Sequence, residues 1–378
     1  METRHWEKQN IDTSLLGFGC MRFPLNAEGN IDEPEAEKML AKAYESGVNY
    51  FDTANPYHNG DSEPFVGRFL KRYPRDSFYL ATKLPMWKVE SLAHAKEIFA
   101  DQLARLQTDY IDFFLLHAMD EGRYETALKF DLIPWLAELK AEGKIKNAGF
   151  SFHDNYSLFE TMMTKHQWDF CQIQYNYMDK NHQAGEKGLL LAKSLGVPVI
   201  TMESIRGGSL AELPEGLTAQ MRAIQPDAST SSWALRWLGS QEGINVILSG
   251  MSTMEQVEDN LKTFENFVPL SDAEQGVILN IEKELRSRTH NTCTACQYCQ
   301  PCPVGVNIPR NFTIWNNYGI FGVKQQTKFH WNGLDAGAKA QQCVGCGKCE
   351  TVCPQQIDIR GDLKALQIEL DALVAEEA

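Results

Sequence analysis

Eight short apolar runs, separated by longer amphipathic stretches, fill the first 270 residues of this chain of 378 residues. A short apolar run between turn residues is typical of a strand that is buried on both faces. The stretches between the runs carry helix signals; residues 32–47, for example, have acidic residues at the start and a glycine at the end. The predicted strands are 15–20, 48–53, 78–83, 111–117, 147–151, 170–174, 197–202 and 244–250.

This alternation predicts a parallel sheet, and eight βα units over such a length match a closed (β/α)8 barrel, the TIM-barrel fold. The competing fold is an open doubly wound sheet, whose dinucleotide-binding form carries GxGxxG after the first strand. The first strand here continues as GFGCMR at residues 17–22, which lacks that pattern. We therefore expect an α/β protein with a barrel over residues 1–270, a bridging helix over 271–290 and a second domain over 291–378.

Polar residues stand where the second to fifth predicted strands end. Asp52, Lys83, His117 and Ser151 follow one another at intervals of 31, 34 and 34 residues, and Tyr57 lies in the loop beyond Asp52. Barrel enzymes carry their chemistry at the carboxyl ends of the strands, so these side chains should share one mouth. Each residue alone has an ordinary structural explanation, such as a helix cap or a solvated charge. Their occurrence together favours a catalytic site.

Tyr57, Lys83, Asp52 and His117 can together perform proton transfer. Tyrosine has a pKa near 10 and becomes a useful acid or base only where a neighbouring cation favours the phenolate. We expect Lys83 to lower the pKa of Tyr57, Asp52 to keep Lys83 charged, and a neutral His117 to donate a hydrogen bond to a substrate carbonyl. Such a site interconverts carbonyls and alcohols when a cofactor carries the hydride.

Eight of the ten cysteines lie in two runs near the C-terminus, and each run is closed by a proline. The second run, CxxCxxCxxxCP, is the bacterial pattern for [4Fe-4S] clusters, whereas the first, CxxCxxCxxCP, is one residue shorter. Structural zinc is the alternative. Disulfides need an oxidising compartment, and the first ten residues lack the apolar core of a signal peptide. The runs consist of Cys293, Cys296, Cys299 and Cys302, and of Cys343, Cys346, Cys349 and Cys353.

Two [4Fe-4S] clusters would use all eight of these thiolates. In two-cluster ferredoxins the fourth cysteine of each run ligates the cluster of the other run, which assigns Cys353 to the first cluster and Cys302 to the second. A single cluster on the second run is the alternative, because the first run is shortened. Strand signals are weak beyond residue 291, so we expect a small, mainly helical ferredoxin-like iron-sulfur domain, with helices after Pro309 and over 334–342.

Several motifs resemble the aldo-keto reductase family: FDTANPYHNGDSE (51–63), ATKLP around Lys83 and LLHAMD around His117. The resemblance covers about residues 10–270, and CTACQYCQPCPVGVNIP (293–309) makes the chain similar to the subgroup with a C-terminal 4Fe-4S ferredoxin-type domain. It implies a barrel that binds NADPH or NADH, with Tyr57 as the general acid and the other three residues in the supporting roles above. It also implies cofactor contacts from Ser151, Gln172, Met202, Gly207, Gly250, Gln256 and Asn260.

The choice between NADPH and NADH is open. NADPH is the common choice of the family, but residues 249–261 contain no Arg or Lys for a 2′-phosphate. Arg206 is a candidate contact for the pyrophosphate, and Trp87 is a candidate wall of the pocket for an aldehyde or ketone substrate.

Composition indicates which classes of binding partner this protein is unsuited to. The chain has 36 Lys and Arg against 50 Asp and Glu, and this net charge of −14 argues against binding to nucleic acid. No apolar stretch reaches the length of a membrane span, so we expect no membrane partner. The cysteine runs and the lack of a signal-peptide core lead us to expect a reducing, cytoplasmic location.

Hydride chemistry transfers two electrons, whereas a cubane cluster transfers one at a time. The clusters would therefore serve electron exchange with a redox partner protein, redox sensing or a structural role. We expect an NAD(P)H-dependent oxidoreductase. The alternative is an electron-transfer or redox-regulatory protein whose barrel binds a nicotinamide nucleotide with little turnover.

Overall fold

A computed structural model describes residues 1–293 and 295–376 and contains the predicted closed barrel of eight parallel strands. Each barrel strand pairs with the next along the chain, and the last strand closes on the first. All eight predicted strands are present, which confirms the barrel. An antiparallel hairpin, β1 (Thr3–Trp6) and β2 (Ile11–Ser14), precedes it, and the barrel strands are β3 (Leu16–Gly19), β4 (Tyr50–Asp52), β5 (Tyr79–Leu84), β6 (Ile111–Met119), β7 (Ile145–Phe152), β8 (Phe170–Gln174), β9 (Val199–Met202) and β10 (Ile244–Gly250).

Helices follow the barrel strands as the alternating pattern predicts. None of the described helices is long and apolar enough to cross a membrane. The helices up to residue 265 are α1 (Glu33–Glu45), α2 (Ser62–Leu70), α3 (Leu92–Leu106), α4 (Glu121–Lys129), α5 (Leu132–Ala141), α6 (Tyr156–Lys165), α7 (Gly185–Ser194), α8 (Glu215–Arg222), α9 (Thr230–Gly239) and α10 (Met254–Glu265).

Local sequence explains where several of these helices begin. The side chain of Asp32 accepts a hydrogen bond from the backbone N–H of Glu35 at the start of α1, and Ser91 accepts one from His94 at the start of α3. Each bond satisfies a backbone donor that has no partner inside the helix. The same arrangement begins α10, where Thr253 accepts from Gln256.

Aromatic packing closes the amino-terminal end of the barrel. Trp6, from the β1–β2 hairpin, is fully buried, and its ring centroid lies 5.0 Å from that of Phe113 on β6. Its indole N–H donates to the hydroxyl of Thr13 over 2.8 Å, which satisfies the only polar atom of a buried ring. Because this end is filled, the opposite end, where the strands finish, is left for polar side chains.

The chain divides into two compact units: residues Met1–Ala211 with Asp227–Ser271, and residues Glu212–Pro226 with Asp272–Ala378. The first unit ends within one residue of the predicted boundary at 270. The segment that contains α8, however, groups with the second unit. Gln220 on α8 contacts the helix that the sequence predicts as a bridge: its amide donates to Glu284 over 3.1 Å and accepts from Asn280 over 2.6 Å.

The second unit is helical, and no strand occurs in the part of it that the structure describes. Its buried core is formed mainly by aliphatic and aromatic side chains between residues 306 and 373, and six of the eight clustered cysteines pack against that core. The mainly helical domain is therefore confirmed. Its helices are α11 (Asp272–Ser287), α12 (Ile308–Phe321), α13 (Lys324–Asn332), α14 (Lys348–Thr351) and α15 (Ile359–Ala375).

The predicted helix over 334–342 is wrong. The chain there forms two short 3-10 turns, Ala336–Ala338 and Ala340–Gln342. The side chain of Asn311 on α12 lies between them, donating to the carbonyl of Ala338 over 2.8 Å and accepting from the N–H of Ala340 over 3.0 Å. These bonds use backbone groups that a continuous helix would need for itself.

The close approach of α2 and α3 gives a test of the packing. A Cβ added at Gly67 on α2 would lie 2.5 Å from the carbonyl oxygen of Arg105 and 2.7 Å from the Cα of Leu106, both of which are backbone atoms. We expect Gly67→Ala to lower the free energy of unfolding by about 1–3 kcal/mol, because the backbone must move. Urea unfolding followed by circular dichroism measures the change.

The matched control is Gly122→Ala on α4, where an added Cβ meets one atom at an ordinary 3.8 Å. This variant should be as stable as the parent or slightly more so, because alanine favours helix. Equal stability of Gly67→Ala and the parent protein would contradict the close packing.

Candidate functional sites

A buried ion pair lies at the carboxyl end of the barrel. The ammonium of Lys83 on β5 donates to Asp52 Oδ1 over 2.5 Å and to the carbonyl of Thr53 over 2.9 Å. Lys83 is 1% exposed and Asp52 is 2% exposed. The strand register explains the contact: Asp52 pairs with Ala81, so Lys83 stands two residues further along on the same face of β5.

Burial and pairing act in opposite directions on this pair. Burial lowers the pKa of Lys83, but Asp52 and Tyr57 outweigh it and the pKa of Lys83 is raised. For Asp52, burial outweighs Lys83 and a hydrogen bond from Gln172, so the pKa of Asp52 is raised as well. The short contact between the two groups favours an ammonium facing a carboxylate.

Tyr57 lies beside the ion pair. The ammonium of Lys83 donates to its hydroxyl over 3.4 Å. Lys83 lowers the pKa of Tyr57 as predicted, but burial outweighs this effect and the pKa of Tyr57 is raised above its usual value. The predicted downward shift is therefore wrong, because the sequence contains no measure of desolvation. A raised pKa keeps the hydroxyl protonated at neutral pH, as a proton donor must be.

His117 on β6 faces Tyr57. The two ring centroids are 6.2 Å apart in an edge-to-face arrangement. Burial lowers the pKa of His117 well below its usual value, with smaller contributions from Lys83, His153 and Arg123, so the ring is neutral at neutral pH. Its Nδ1 is buried and has no partner among the residues that the structure describes, which leaves Nε2 to meet a substrate.

Trp87 and Arg123 border the site on the side of His117. The Trp87 ring centroid lies 5.1 Å from that of His117, and the indole is 46% exposed, as suits a wall of an open pocket. The Arg123 guanidinium lies 5.7 Å from the Trp87 ring and donates to Asp120 and to the carbonyl of Ala118. The mouth of the barrel therefore has the aromatic surface of Trp87 next to the cation of Arg123, which is already paired with Asp120.

Ser151 and Gln172, predicted as cofactor contacts, are direct neighbours. They are register partners on β7 and β8. Ser151 accepts from the N–H of Ala118 over 2.7 Å, so its hydroxyl proton remains available, and the amide of Gln172 donates to Asp52 Oδ2 over 3.2 Å. A neutral hydroxyl and an amide side by side suit a carboxamide. Met202 stands at the end of β9, the next strand, where it pairs with Gln174.

The remaining predicted cofactor residues lie along the ends of β9 and β10. Gly207 adopts a positive φ of 61° in the turn after β9, where Arg206 lies 3.4 Å from Asp179. Gly250 ends β10. Gln256 accepts from the N–H of Ser252 over 2.7 Å, and Asn260 donates to the hydroxyl of Ser249 over 2.9 Å. The side-chain amides of Gln256 and Asn260 therefore stabilise the conformation of the loop after β10.

Arg22 is a residue that the sequence analysis missed. A Cβ added at Gly250 would lie 2.7 Å from the Cγ of Arg22, and the hydroxyl of Ser252 donates to the Arg22 carbonyl over 2.7 Å. The loop after β3 thus brings a cation to the segment 249–261, which has none of its own. The position of Arg22 just beyond a strand end was the available signal.

The clustered cysteines surround two adjoining cavities. The first cavity is lined by Cys293, Cys296, Cys299 and Cys353. The second cavity is lined by Cys302, Cys343, Cys346 and Cys349, and Cys299 also reaches it. The fourth cysteine of each run therefore lies at the cavity of the other run, and all ten cysteines of the chain are free thiols.

The residues that line these cavities fit a polynuclear cluster. Among residues 1–293 and 295–376, no three His, Cys, Asp or Glu side chains converge on the site of a single metal ion. A cubane instead separates its four thiolates around a body of iron and sulfide. Apolar residues such as Ile308 and Phe312 complete the first cavity, which suits a cluster shielded from water.

Comparison with known proteins assigns two parts of the chain to known families. Residues 15–282 match the family described as the aldo/keto reductase family, and residues 292–357 match the 4Fe-4S dicluster domain. The uncharacterized oxidoreductase YqkF of Bacillus subtilis (strain 168) is 30% identical over 292 residues, which are 69% of this chain and 90% of that protein. The NADH-specific methylglyoxal reductase of Escherichia coli (strain K12) is 27% identical over 322 residues, which are 73% of this chain and 97% of that protein.

A solved structure is also similar. The holo form of the aldo-keto reductase AKR11C1 from Bacillus halodurans superposes with a TM-score of 0.62 and 28% sequence identity, over 74% of this chain and 96% of that one. The two family matches cover different parts of the chain, in the order in which its two sites occur. The chain therefore belongs to the aldo/keto reductase family and carries a 4Fe-4S dicluster domain at its C-terminal end.

Proposed function

We propose that the protein is an NAD(P)H-dependent oxidoreductase that interconverts an aldehyde or ketone and the corresponding alcohol. The observation that carries the proposal is the hydroxyl of Tyr57 at 3.4 Å from the ammonium of Lys83, which is itself in a buried ion pair with Asp52. A protonated tyrosine beside a fixed cation is suited to donate a proton and then to stabilise the phenolate that remains.

In the reduction, Tyr57 is the general acid. A bound nicotinamide cofactor supplies the hydride, and with it two electrons, to the carbonyl carbon. The carbonyl oxygen takes the phenolic proton of Tyr57, so that an alcohol forms and the phenolate is later reprotonated from solvent. Lys83 stabilises the phenolate, Asp52 holds Lys83, and neutral His117 donates from Nε2 to orient the carbonyl oxygen.

For the cofactor we propose that Ser151 and Gln172 bind the carboxamide and that Met202 packs on the nicotinamide ring. Gly207, Gly250, Gln256 and Asn260 would line the path of the phosphates and the adenosine. We keep NADPH as the first choice, and Arg22 beside Gly250 supplies a cation for one of its phosphates. NADH stays the alternative, and the methylglyoxal reductase relative from Escherichia coli is NADH-specific.

For the dicluster domain we propose two [4Fe-4S] clusters. Cys293, Cys296, Cys299 and Cys353 would hold the one in the first cavity, and Cys302, Cys343, Cys346 and Cys349 the one in the second. Clusters of this kind exchange single electrons, so we further propose a redox partner protein and a reducing, cytoplasmic location. The alternative function is an electron-transfer or redox-regulatory protein whose barrel binds the nucleotide with little turnover.

Replacement of Tyr57 tests the catalytic role. We expect Tyr57→Phe to lower kcat for carbonyl reduction by roughly 10²- to 10⁴-fold, because the general acid is lost. Cofactor binding, followed by the change in nicotinamide fluorescence, should be nearly unchanged. The rates are measured anaerobically against a set of aldehydes and ketones with both NADH and NADPH.

The matched control is Tyr156→Phe, which removes only the bond of a surface tyrosine to Glu160. Its activity should equal that of the parent. Full activity in Tyr57→Phe would sink the proposed role of Tyr57, and parent protein that binds nucleotide without turning over any carbonyl would favour the regulatory alternative.

The pKa shifts predict the pH dependence. The proton that Tyr57 donates is lost only as the pH rises through its pKa, which burial places above the usual value near 10. His117 is already neutral at pH 6.5, because its pKa is lowered. We therefore expect kcat for reduction to stay level from about pH 7 to about pH 9 and to fall above about pH 10.

The reverse reaction, oxidation of the alcohol, is the control for this prediction. Alcohol oxidation needs the phenolate, so its kcat should rise over the alkaline range in which reduction falls. A fall of the reductive kcat between pH 7 and pH 8 would instead indicate a proton donor other than a buried tyrosine.

Replacement of cysteines tests the cluster assignment. Anaerobically prepared protein should contain about eight iron and eight sulfide per chain. We expect the triple replacement of Cys343, Cys346 and Cys349 by Ser to halve both values. Adding Cys353→Ser should then remove most of the remaining iron, because Cys353 lines the first cavity. Elemental analysis and electron paramagnetic resonance measure the result.

The control for this series is Cys171→Ser in the barrel, which should leave the iron content unchanged because Cys171 lies on β8. Stoichiometric zinc with no paramagnetic cluster after reduction would overturn the assignment. An unchanged remaining cluster after Cys353→Ser would refute the crossed ligation.

A further inference from the structure

The two cavities differ in the charges around them. Apart from its cysteines, the first cavity is lined by apolar residues, two prolines and two glutamines, and among the described residues no charged side chain lines it. The second cavity is lined by two cations, Lys348 and Arg360. This difference matters because a reduced cubane with four thiolates carries one more negative charge than the oxidised form.

Lys348 follows Gly347 and immediately precedes Cys349, so its charge is tethered next to a proposed ligand. Its side chain is exposed, and none of the ion pairs within the described residues involves it. Water screens an exposed charge over distance, so Lys348 acts mainly on the groups that it directly adjoins. Lys348 therefore contributes an uncompensated positive charge to the second cavity.

Arg360 approaches the same loop from α15. A Cβ added at Gly347 would lie 3.6 Å from the Cζ of Arg360, so the guanidinium rests on the backbone between Cys346 and Cys349. It also pairs with Glu350, with Nη2 2.8 Å and Nε 3.0 Å from Oε2. Glu350 follows Cys349, and its negative charge acts on the Cys349 sulfur in the direction opposite to that of the cations. Arg360 thus neutralises the one carboxylate that directly adjoins the second run.

Around the first cavity, the nearby charge is negative instead of positive. The carboxylate of Asp362 accepts from the amide of Asn291 over 2.9 Å, and the amide oxygen of Asn291 accepts from the N–H of Cys293 over 3.2 Å. A negative charge is therefore linked through one side chain to a ligand of the first cavity. The buried side chains of Ile308, Phe312, Ile357 and Ile359 also exclude water there.

We propose that Lys348 and Arg360 make the cluster of the second cavity the more easily reduced of the two. An electron that enters this domain then resides on that cluster. Positive charge near a cluster stabilises its reduced form and raises its potential, whereas an apolar, anionic setting lowers it. The step is a one-electron reduction in which a one-electron donor is oxidised and no bond is made or broken. The inference rests on the proposed two-cluster assignment.

An anaerobic redox titration of the full-length, cluster-loaded protein, followed by electron paramagnetic resonance, tests it. The parent should show two transitions, and loss of Cys343 and Cys346 to Ser should abolish the one at higher potential. Lys348→Gln and Arg360→Gln should each shift that transition to lower potential and leave the other in place. Glu350→Gln should shift it to higher potential, because it removes the opposing charge.

The matched control is Lys364→Gln, an exposed lysine of α15 that lines neither cavity and should move neither transition. Equal iron content and circular dichroism in all variants exclude a loss of folding or loading. If the iron content shows a single cluster, the two-cluster assignment itself fails. If two clusters are present and Lys348→Gln moves neither transition, or moves only the lower one, this inference is overturned.

Discussion

The buried ion pair between Lys83 and Asp52 is the interaction on which the barrel site depends. Two charges removed from water are destabilising unless each is paired and hydrogen-bonded. Lys83 meets this requirement through Asp52 and the carbonyl of Thr53, and Gln172 covers the second carboxylate oxygen. These groups come from β4, β5 and β8, so the arrangement exists only once the sheet has closed. Tyr57 and His117 then face a charge whose position is held by the barrel itself.

The dicluster domain depends on a different constraint. Its unit contains 107 residues of the C-terminal segment and one short helical segment, and the cysteines form part of the surface of its core. A small core of this kind gains stability from bound metal, since ligation closes loops that packing alone holds weakly. The cavities adjoin at Cys299 and Ile308, which brings the two proposed clusters close together. The proposed hydride chemistry and the proposed single-electron chemistry thus each have a unit with its own core.

The candidate residues that the structure brings together are those whose position follows from chain geometry. A residue at the end of a barrel strand must point to the mouth, so the spacing of Asp52, Lys83 and His117 was sufficient to group them. The crossed arrangement of Cys302 and Cys353 around the cavities also agrees with a rule of spacing. The direction of the Tyr57 pKa, by contrast, was predicted wrongly, because it depends on how completely the folded chain excludes water from the hydroxyl.

The sequence by itself determined the closed barrel and the mainly helical second unit, and it indicated which polar side chains stand at the strand ends. These follow from periodicity and covalent spacing, which are local properties of the chain. Only the tertiary structure decided that Arg22 lies against Gly250, that Asn311 interrupts a helix over 334–342, and that Arg360 reaches the loop at Gly347. Each of these contacts joins residues distant in sequence. Desolvation and electrostatic fields depend on such distances through space, and no local pattern encodes them.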